Sequence, residues 1–299
     1  MGNKGTLWQA VVRRTQEALA RGDLQPIPTE PEFVEDGGIR FVVRVVANLA
    51  RKRRFPSDIC GQHGPRHNPF LPYEQAMFVA DISPTHVCLL NKYNVVEHHV
   101  LLVTREYEDQ ESALNRVDFE ALWTCMAEYE GLGFYNSGVV AGASQPHKHL
   151  QFVPLPLARE GPAVPIEPLL ANLRWDGELG RIACWPFRHA VARVSWSPSR
   201  APGRLAAESE AAYREMLRAV GAVSGSPRTA RPPAPYNLLV TRSWMLVVPR
   251  ACECFASVSL NALAFAGALL VRDEFQLQAI KAYGPLRVLQ HVGFPHLDA

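Results

Sequence analysis

Residues 142–153 read GASQPHKHLQFV, a run of small residues followed by an alternation of polar and apolar ones. Side chains alternate between the two faces of a β-strand. A strand here therefore places His147, His149 and Gln151 on one face, while the apolar residues between and after them anchor a core. The pattern predicts a pocket lined by two imidazoles and one carboxamide.

The loop before this strand indicates what the pocket binds. It runs from Asn136 to Gln145 and consists mainly of small side chains, which let main-chain N–H groups approach a ligand closely. Successive N–H groups of this kind form concave sites for anions. We therefore expect Gly142, Ala143 and Ser144 to lie, together with Gln145, on the phosphate side of the pocket.

Nucleophilic attack on phosphorus would use all of these groups. A neutral histidine nitrogen can attack an α-phosphorus and form a covalent phosphoramidate. Such a nucleophile needs a partner, commonly a main-chain carbonyl, that holds the proton on its other nitrogen. Gln151 can donate to a phosphate oxygen, and the loop amides can stabilise charge on the others. Isolated His-x-His pairs also occur at surfaces and as metal ligands, but the glutamine in register and the loop favour catalysis.

The flanking sequence predicts an α+β fold with an antiparallel sheet. Short runs rich in Val, Leu and Phe predict strands, and apolar residues at helical spacing predict helices. The first part has predicted strands at 76–82, 86–90, 99–104 and 148–154, and helices at 6–20 and 118–129, the latter with Asp118 as N-cap. The second part has predicted strands at 189–196, 236–241 and 245–248, and helices at 208–223, 262–271, 274–283 and 285–292. We predict a catalytic domain at 1–187 and a C-terminal α+β unit at 188–299, packed against it.

Composition excludes several classes of protein. The 299 residues include 31 Lys+Arg and 29 Asp+Glu, so no bulk charge is available to hold nucleic acid or a membrane surface. No run approaches the ~18 apolar residues of a membrane span. The six cysteines are scattered and no secretory signal is visible, so we expect reduced thiols in the cytoplasm. Cys60 and His63 have the spacing of two zinc ligands, but no convincing second pair follows, and we expect no protein-bound metal.

Other passages extend the signal beyond the histidine motif. They are NPFLPYE at 68–74, HVCLLNKYN at 86–94, HHVLLVT at 98–104, YNLLVTR at 236–242, MLVVPR at 245–250 and the segment 261–272. With these passages the chain resembles the histidine-triad superfamily in its His-x-His-x-Gln form. Within it, the chain resembles the diadenosine tetraphosphate phosphorylases, also called ATP adenylyltransferases. The resemblance extends from about Phe41 to Gly293.

This resemblance implies an activity. AMP would be transferred between nucleotides through an enzyme-bound AMP, so that diadenosine tetraphosphate and phosphate give ATP and ADP reversibly. His149 would be the nucleophile, His147 would support the site, and Gln151 would bind the attacked phosphate. A divalent cation, with magnesium expected, would accompany the nucleotide as a charge partner. The histidine-triad domain would be an antiparallel sheet with helices.

The resemblance also assigns residues to substrate binding, although each of them could have a purely structural role instead. Beside the loop from Gly142 to Gln145, it assigns Lys52, Asn91, Lys92, Asn136, Asn261 and Arg272 to substrate binding. Each charged residue could instead be a solvated surface group. The run 68–74 could be structural, with its prolines shaping a turn. Lys148 replaces an apolar residue of the wider motif, and we expect its stem on the core and its amine at the surface. We expect His99 to serve packing or hydrogen bonding.

Two other functions compete with phosphorolysis. One is a hexose-1-phosphate nucleotidylyltransferase of the same superfamily, which shares the glutamine-ended motif but not the C-terminal passages. The other is a non-catalytic nucleotide-binding protein, or an RNA-binding module that uses residues 51–54. The nearly balanced charge weighs against RNA binding.

Overall fold

The computed structural model describes residues 5–47, 68–223 and 234–296. In these ranges the chain forms seven α-helices and fifteen strands. The helices are α1 (Thr6–Arg21), α2 (Arg116–Glu128), α3 (Glu167–Leu170), α4 (Pro202–Ala219), α5 (Ala262–Phe265), α6 (Glu274–Tyr283) and α7 (Pro285–Val292). The strands are β1 (Thr29–Asp36), β2 (Ile39–Val46), β3 (Phe78–Asp81), β4 (His86–Leu90), β5 (Val100–Thr104), β6 (Gly131–Asn136), β7 (His149–Pro154), β8 (Leu173–Asp176), β9 (Leu179–Ile182), β10 (Ala190–Arg193), β11 (Tyr236–Val240), β12 (Trp244–Pro249), β13 (Cys254–Phe255), β14 (Val258–Ser259) and β15 (Ala268–Val271).

Ten strands form one antiparallel sheet in the order β3-β4-β5-β7-β6-β11-β12-β10-β9-β8. The motif strand β7 lies between β5 and β6, and β6 pairs with β11 of the C-terminal half. The predicted α+β fold with an antiparallel sheet is confirmed. The C-terminal half packs onto the N-terminal half by continuing its sheet, and the domain boundary between residues 187 and 188 stays a prediction.

Both faces of the large sheet are covered. Helices α1, α2 and α4 pack on one face, where Leu150 and Phe152 of β7 join their apolar residues in one buried cluster. The other face is covered by the small sheet β1-β2-β15 and by α5, α6 and α7, and its buried cluster includes Phe134 and Val153. Because side chains alternate along a strand, His149 and Gln151 share the face of Val153. The predicted core role of Leu150 and Phe152 is confirmed.

The predicted helix at 262–271 is wrong in its second half. Only Ala262–Phe265 is helical, and Ala268–Val271 forms strand β15, which pairs in parallel with β2. Gly267, with φ +89°, separates the two elements in a left-handed conformation that favours glycine. A short apolar run fits the helical period and the strand period equally well, so the sequence alone could not distinguish a helix from a strand here.

The N-terminus of α2 also differs from the prediction. The N-cap is Asn115, whose side chain accepts hydrogen bonds from the main-chain N–H groups of Val117 and Asp118. Asp118 is the third residue of the helix, and its Oδ2 accepts from the main-chain N–H of Asn115 at 2.7 Å. This reciprocal pair is a capping box, in which both residues are of cap-forming types. The predicted N-cap, Asp118, therefore lies three residues after the actual N-cap, Asn115.

Lys148 is buried, contrary to the expectation of a surface amine. Its Nζ lies 2.7 Å from Asp118 Oδ2 and 3.0 Å from Glu108 Oε2. His86 Nε2 donates to the other Asp118 oxygen at 3.1 Å. Burial by itself raises the pKa of Asp118, but the His86 hydrogen bond and the Lys148 charge outweigh it and hold that pKa below its ordinary value. The back of the motif strand is thus tied to α2 by a buried ion pair.

The prediction that the cysteines are reduced thiols is only partly correct. Cys88, Cys125, Cys184 and Cys252 are free thiols. Cys254 takes part in a disulfide bond, so the prediction of reduced thiols is wrong for this residue. Within the described ranges, none of the helices is long and apolar enough to cross a membrane.

Replacing the buried lysine tests the ion pair. Lys148→Met should lower the free energy of unfolding by about 3–5 kcal/mol, because it leaves the Asp118 carboxylate buried without its cation. Arg105→Met is the matched control, since Arg105 pairs with Asp81 at the surface, and it should change stability by less than about 1 kcal/mol. Urea denaturation measures both, and equal effects of the two substitutions would contradict the buried role.

Candidate active site

The motif strand begins at its second histidine. His149 pairs with Val103 of β5, and Gln151 lies between Leu101 of β5 and Phe134 of β6. His147 precedes the strand and is joined by a single bridge to Asp109. The apolar core behind β7 and the pairing on both sides therefore hold His149 and Gln151 in register on one face.

His149 is held as a neutral imidazole with a defined tautomer. Its Nδ1 donates to the main-chain oxygen of His147 at 2.8 Å, which leaves Nε2 as the unprotonated nitrogen. Burial is the main cause that lowers the pKa of His149 to about 4; the main-chain hydrogen bond opposes this shift, and the nearby His147 imidazole adds a smaller lowering effect. At neutral pH, Nε2 therefore carries a lone pair that can attack an electrophile.

His147 contacts His149 through its main-chain oxygen, while its own ring is bonded within the protein. Its Nδ1 accepts from Asn68 Nδ2 at 3.1 Å, and its Nε2 donates to the main-chain oxygen of Thr104 at 2.8 Å. The side chain is fully buried, and burial lowers its pKa. Both ring nitrogens are thus engaged within the protein, and what His147 offers to the site is its main-chain carbonyl.

Asn68 and Thr104 contact His147, and the sequence did not reveal these contacts. Both fall in the quoted passages 68–74 and 98–104, and the first of these was considered structural. Their contacts to His147 explain why these passages belong with the histidine motif. The sequence signal that could have pointed to Asn68 and Thr104 was that both lie in passages that carry the family resemblance, since neither lies near the histidine motif along the chain.

His99 lies beside the pocket, although no role in the site was predicted for it. Its Nδ1 accepts from Asn91 Nδ2 at 3.1 Å, so the predicted ligand residue Asn91 is joined to this histidine. Burial lowers the pKa of His99 to about 4, which the neighbouring Gln151 side chain partly opposes. The predicted hydrogen-bonding role of His99 is confirmed, and Asn91, His99 and Gln151 are brought close together.

Asn136 connects the loop to the C-terminal half. Its Oδ1 accepts from Asn237 Nδ2 at 2.8 Å and from the main-chain N–H of Ala262 at 2.9 Å. The fully buried Arg250 donates to Asn237 Oδ1 at 2.6 Å, and its burial lowers its pKa to about 10, so it remains charged at neutral pH. The C-terminal passages around Asn237 and Arg250 therefore brace the loop that precedes the motif strand.

Gly142 lies where the loop meets the C-terminal half. Its φ is +88°, and a Cβ at this position would lie 2.6 Å from the main-chain oxygen of Leu260. Its N–H donates to Val139, and that of Ala143 donates to Gly138, so these two amides shape the loop from within. The contact brings the predicted residue Asn261 against the loop, where its Oδ1 caps α5.

The remaining predicted residues are less closely grouped. Lys92 Nζ forms an ion pair with Glu74 at 2.7 Å. Arg272 follows β15, and its main-chain N–H donates to Gln276 Oε1 at 2.8 Å. Lys52 lies outside the described residues, as do Cys60 and His63. Ser144 and Gln145 lie in the loop itself, next to the motif strand.

The state of His149 can be measured directly. Nitrogen-15 NMR should show a neutral ring with its proton on Nδ1 from pH 8 to pH 5 and protonation near pH 4, because burial disfavours the charged form. Since the unfolded chain binds this proton more readily, the free energy of unfolding should fall as the pH drops from about 6.5 towards 4. The spectrum of His149→Gln assigns the signal, and titration near pH 6.5 would contradict the burial.

Comparisons with known proteins agree with this architecture. The profile of the Ap4A phosphorylase N-terminal domain matches residues 1–172, and that of the ATP adenylyltransferase C-terminal domain matches residues 183–295. Diadenosine 5',5'''-P1,P4-tetraphosphate phosphorylase 2 of Saccharomyces cerevisiae is 29% identical over 259 residues, 77% of each chain. Protein APA1 of the same yeast is 28% identical over 231 residues, covering 70% of this chain and 68% of the yeast protein.

Solved structures show the same fold. The crystal structure of yeast Ap4A phosphorylase Apa2 superposes with a TM-score of 0.77 at 24% identity and covers 97% of both chains. The Apa2 complex with Ap4A gives a TM-score of 0.75 at 23% identity, again over 97% of both chains. The resemblance in the motifs is confirmed, and because the N-terminal profile spans more than half of the sequence, the chain belongs to the Ap4A phosphorylase family.

Proposed function

We propose that this protein is a nucleotidyltransferase that phosphorolyses diadenosine tetraphosphate to ATP and ADP, reversibly, through an AMP bound covalently to His149. The observation that carries the proposal is the hydrogen bond from His149 Nδ1 to His147, which leaves Nε2 free to act as a nucleophile. Membership in the Ap4A phosphorylase family supports the choice of substrate. The yeast relative solved in complex with Ap4A supports it as well.

The first step transfers AMP to the protein. Nε2 of His149 attacks the α-phosphorus of one adenosine, a nitrogen–phosphorus bond forms, and the bond to the bridging oxygen breaks, so that ATP leaves. The imidazole gains positive charge as this bond forms. The main-chain oxygen of His147, at 2.8 Å from Nδ1, is placed to stabilise that charge.

The second step releases AMP to inorganic phosphate. A phosphate oxygen attacks the same phosphorus, the nitrogen–phosphorus bond breaks, and ADP forms. Each step exchanges one bond to phosphorus for another, which makes the reaction readily reversible. In both steps we propose that the Gln151 amide donates to the attacked phosphate. We also propose that the loop from Gly142 to Gln145 contacts the neighbouring phosphates through groups other than the N–H of Gly142 and Ala143, which donate within the loop.

The polyphosphate needs positive partners, and the proposed ones come from distant segments. Lys52, Lys92 and Arg272 are the proposed cationic contacts, while Asn91, Asn136 and Asn261 are proposed polar contacts. In the described structure Lys92 is paired with Glu74, so nucleotide binding would exchange that carboxylate for a phosphate. The polyphosphate chain carries one negative charge on each of its four phosphates, so together they compete well with a single carboxylate for an ammonium group.

We also propose that magnesium accompanies the nucleotide. Within the described residues, no group of three or more His, Cys, Asp or Glu side chains could hold a metal ion. We propose that the cation binds to the polyphosphate itself, as magnesium commonly does in nucleotide-dependent enzymes. The proposed location is the cytoplasm; the four free thiols favour it, whereas the disulfide bond of Cys254 weighs against it.

One product analysis tests the proposed reaction. The protein is incubated with diadenosine tetraphosphate, with and without phosphate, and the nucleotides are separated. ATP and ADP should accumulate only when phosphate is present. Two ADP, or AMP with ATP, would show that the protein is a hydrolase and would contradict the proposal.

The covalent step is tested on the same substrate carrying a radioactive α-phosphorus. Wild-type protein should retain labelled AMP in the absence of phosphate, and His149→Ala should reduce both labelling and turnover by about 10³-fold or more, because the nucleophile is lost. His291→Ala is the matched control, since His291 is exposed on α7. Labelling of His149→Ala at the wild-type level would disprove the assignment.

The cation is tested by removal and restoration. EDTA should abolish phosphorolysis, and an excess of magnesium should restore it, because the cation offsets negative charge on the polyphosphate. Calcium serves as a comparison, as its larger size and looser coordination give a different geometry. Full activity in EDTA would remove the cation from the proposal.

A further inference from the structure

The large sheet opens between β6 and β7 at the proposed nucleophile. The pairing of these strands runs from Gly131↔Pro154 to Phe134↔Gln151 and stops there. Continuing the same register by two residues would set Asn136 opposite His149. This is the position at which the main-chain groups of His149 need partners other than β6.

The carboxamide of Gln110 fills the opening. Its Oε1 accepts from the main-chain N–H of His149 at 2.8 Å, and its Nε2 lies 3.2 Å from the main-chain oxygen of the same residue. The same Nε2 donates to the main-chain oxygen of Asn136 at 2.8 Å. One side chain therefore satisfies both main-chain groups of His149 and bridges them to the facing strand.

Gln110 is itself held rigidly. Only 2% of the residue is exposed. Its main-chain N–H donates to Pro146 at 2.8 Å, and its main-chain oxygen accepts from the hydroxyl of Tyr135 on β6. The bridge between Asp109 and His147 fixes the preceding residue. The segment from Glu106 to Glu111 therefore runs alongside the motif.

We infer that Gln110 is a positioning residue for His149. Its carboxamide acts as an inserted rung between β6 and β7. A direct main-chain rung would draw Asn136 against His149 at the ordinary strand spacing of about 4.8 Å. The inserted amide keeps the two strands apart at this point while holding His149 in register. The inference rests on the proposed function, because the positioned residue is the proposed nucleophile.

Two substitutions of Gln110 separate positioning from folding. Gln110→Met keeps the length of the side chain and removes all three hydrogen bonds. Gln110→Glu keeps the acceptor for His149 N–H but sets a carboxylate against two carbonyl oxygens when it is ionised. Ser209→Ala is the control, since it removes the buried partner of Trp123 Nε1 in another part of the structure.

The measurement is the rate of AMP attachment from diadenosine tetraphosphate without phosphate, followed by rapid quench, together with steady-state kcat and KM. Gln110→Met should slow attachment and kcat by about 10–100-fold with KM within about twofold, because small displacements of a reacting group carry penalties of this size. Ser209→Ala should react at the wild-type rate even where its thermal stability is lower.

Gln110→Glu adds a second measurement, the pH dependence of the rate relative to wild type, which a simple loss of stability would not change. A protonated carboxyl group can again donate one hydrogen bond, so the rate of this variant relative to wild type should rise as the pH is lowered from 8 to 5.5. The titratable groups around position 110 are Tyr135 on β6, His147 and His149 on the motif segment, and Asp109 and Glu111 beside it. Both proteins contain all of them, so the ratio isolates the new carboxyl group.

Each outcome decides the inference. Slow attachment by Gln110→Met with unchanged KM supports it, as does acid rescue of Gln110→Glu. Attachment within twofold of wild type in both variants overturns it, and if Gln110→Met fails to fold, a pH-independent ratio for Gln110→Glu overturns it. A wild-type protein that never acquires AMP refutes the proposed function, whereas wild-type labelling with equally fast variants refutes only the role of Gln110.

Discussion

The hydrogen bond from His149 Nδ1 to the main-chain oxygen of His147 is the contact on which the site depends. It places the proton on one nitrogen and leaves the other free to attack, and burial keeps the ring neutral. The carbonyl can serve this purpose only if His147 does not move. Asn68 and Thr104 secure it by bonding both nitrogens of its ring. The first histidine of the motif therefore supports the second through its main-chain oxygen, while both nitrogens of its own ring are bonded within the protein.

The motif strand places a neutral histidine and a buried lysine next to each other in sequence but on opposite faces of the sheet. On one face lies His149, which burial holds neutral, and behind it Lys148 carries a buried charge that Asp118 and Glu108 offset. Side chains that alternate along a strand point in opposite directions, so a neutral imidazole and a buried ammonium group can be adjacent in sequence. The same cation ties the strand to α2, which helps to keep the strand in place.

Local patterns predicted much of the fold and part of the site. The alternation after Pro146 correctly assigned the core residues of β7, because burial on one face follows from the two-residue period of a strand. The segment 262–271 was misassigned as one helix, since a short apolar run satisfies both helical and strand periods. Gln110 was not predicted at all. Its contacts to His149 and Asn136 join segments far apart in sequence, and no local pattern encodes them.

What the sequence determined by itself is the alternation of side chains along the motif strand and the class of fold, because both depend on residue types at short, regular spacings. Which side chains meet was decided by the tertiary structure. Lys148 was expected at the surface and is buried, because Asp118 reaches it from a helix thirty residues earlier. Asn136 and Asn237 form one contact only because β6 and β11 pair. Such contacts depend on strand order and on the closing of long loops, which are properties of the whole folded chain and not of any segment of it.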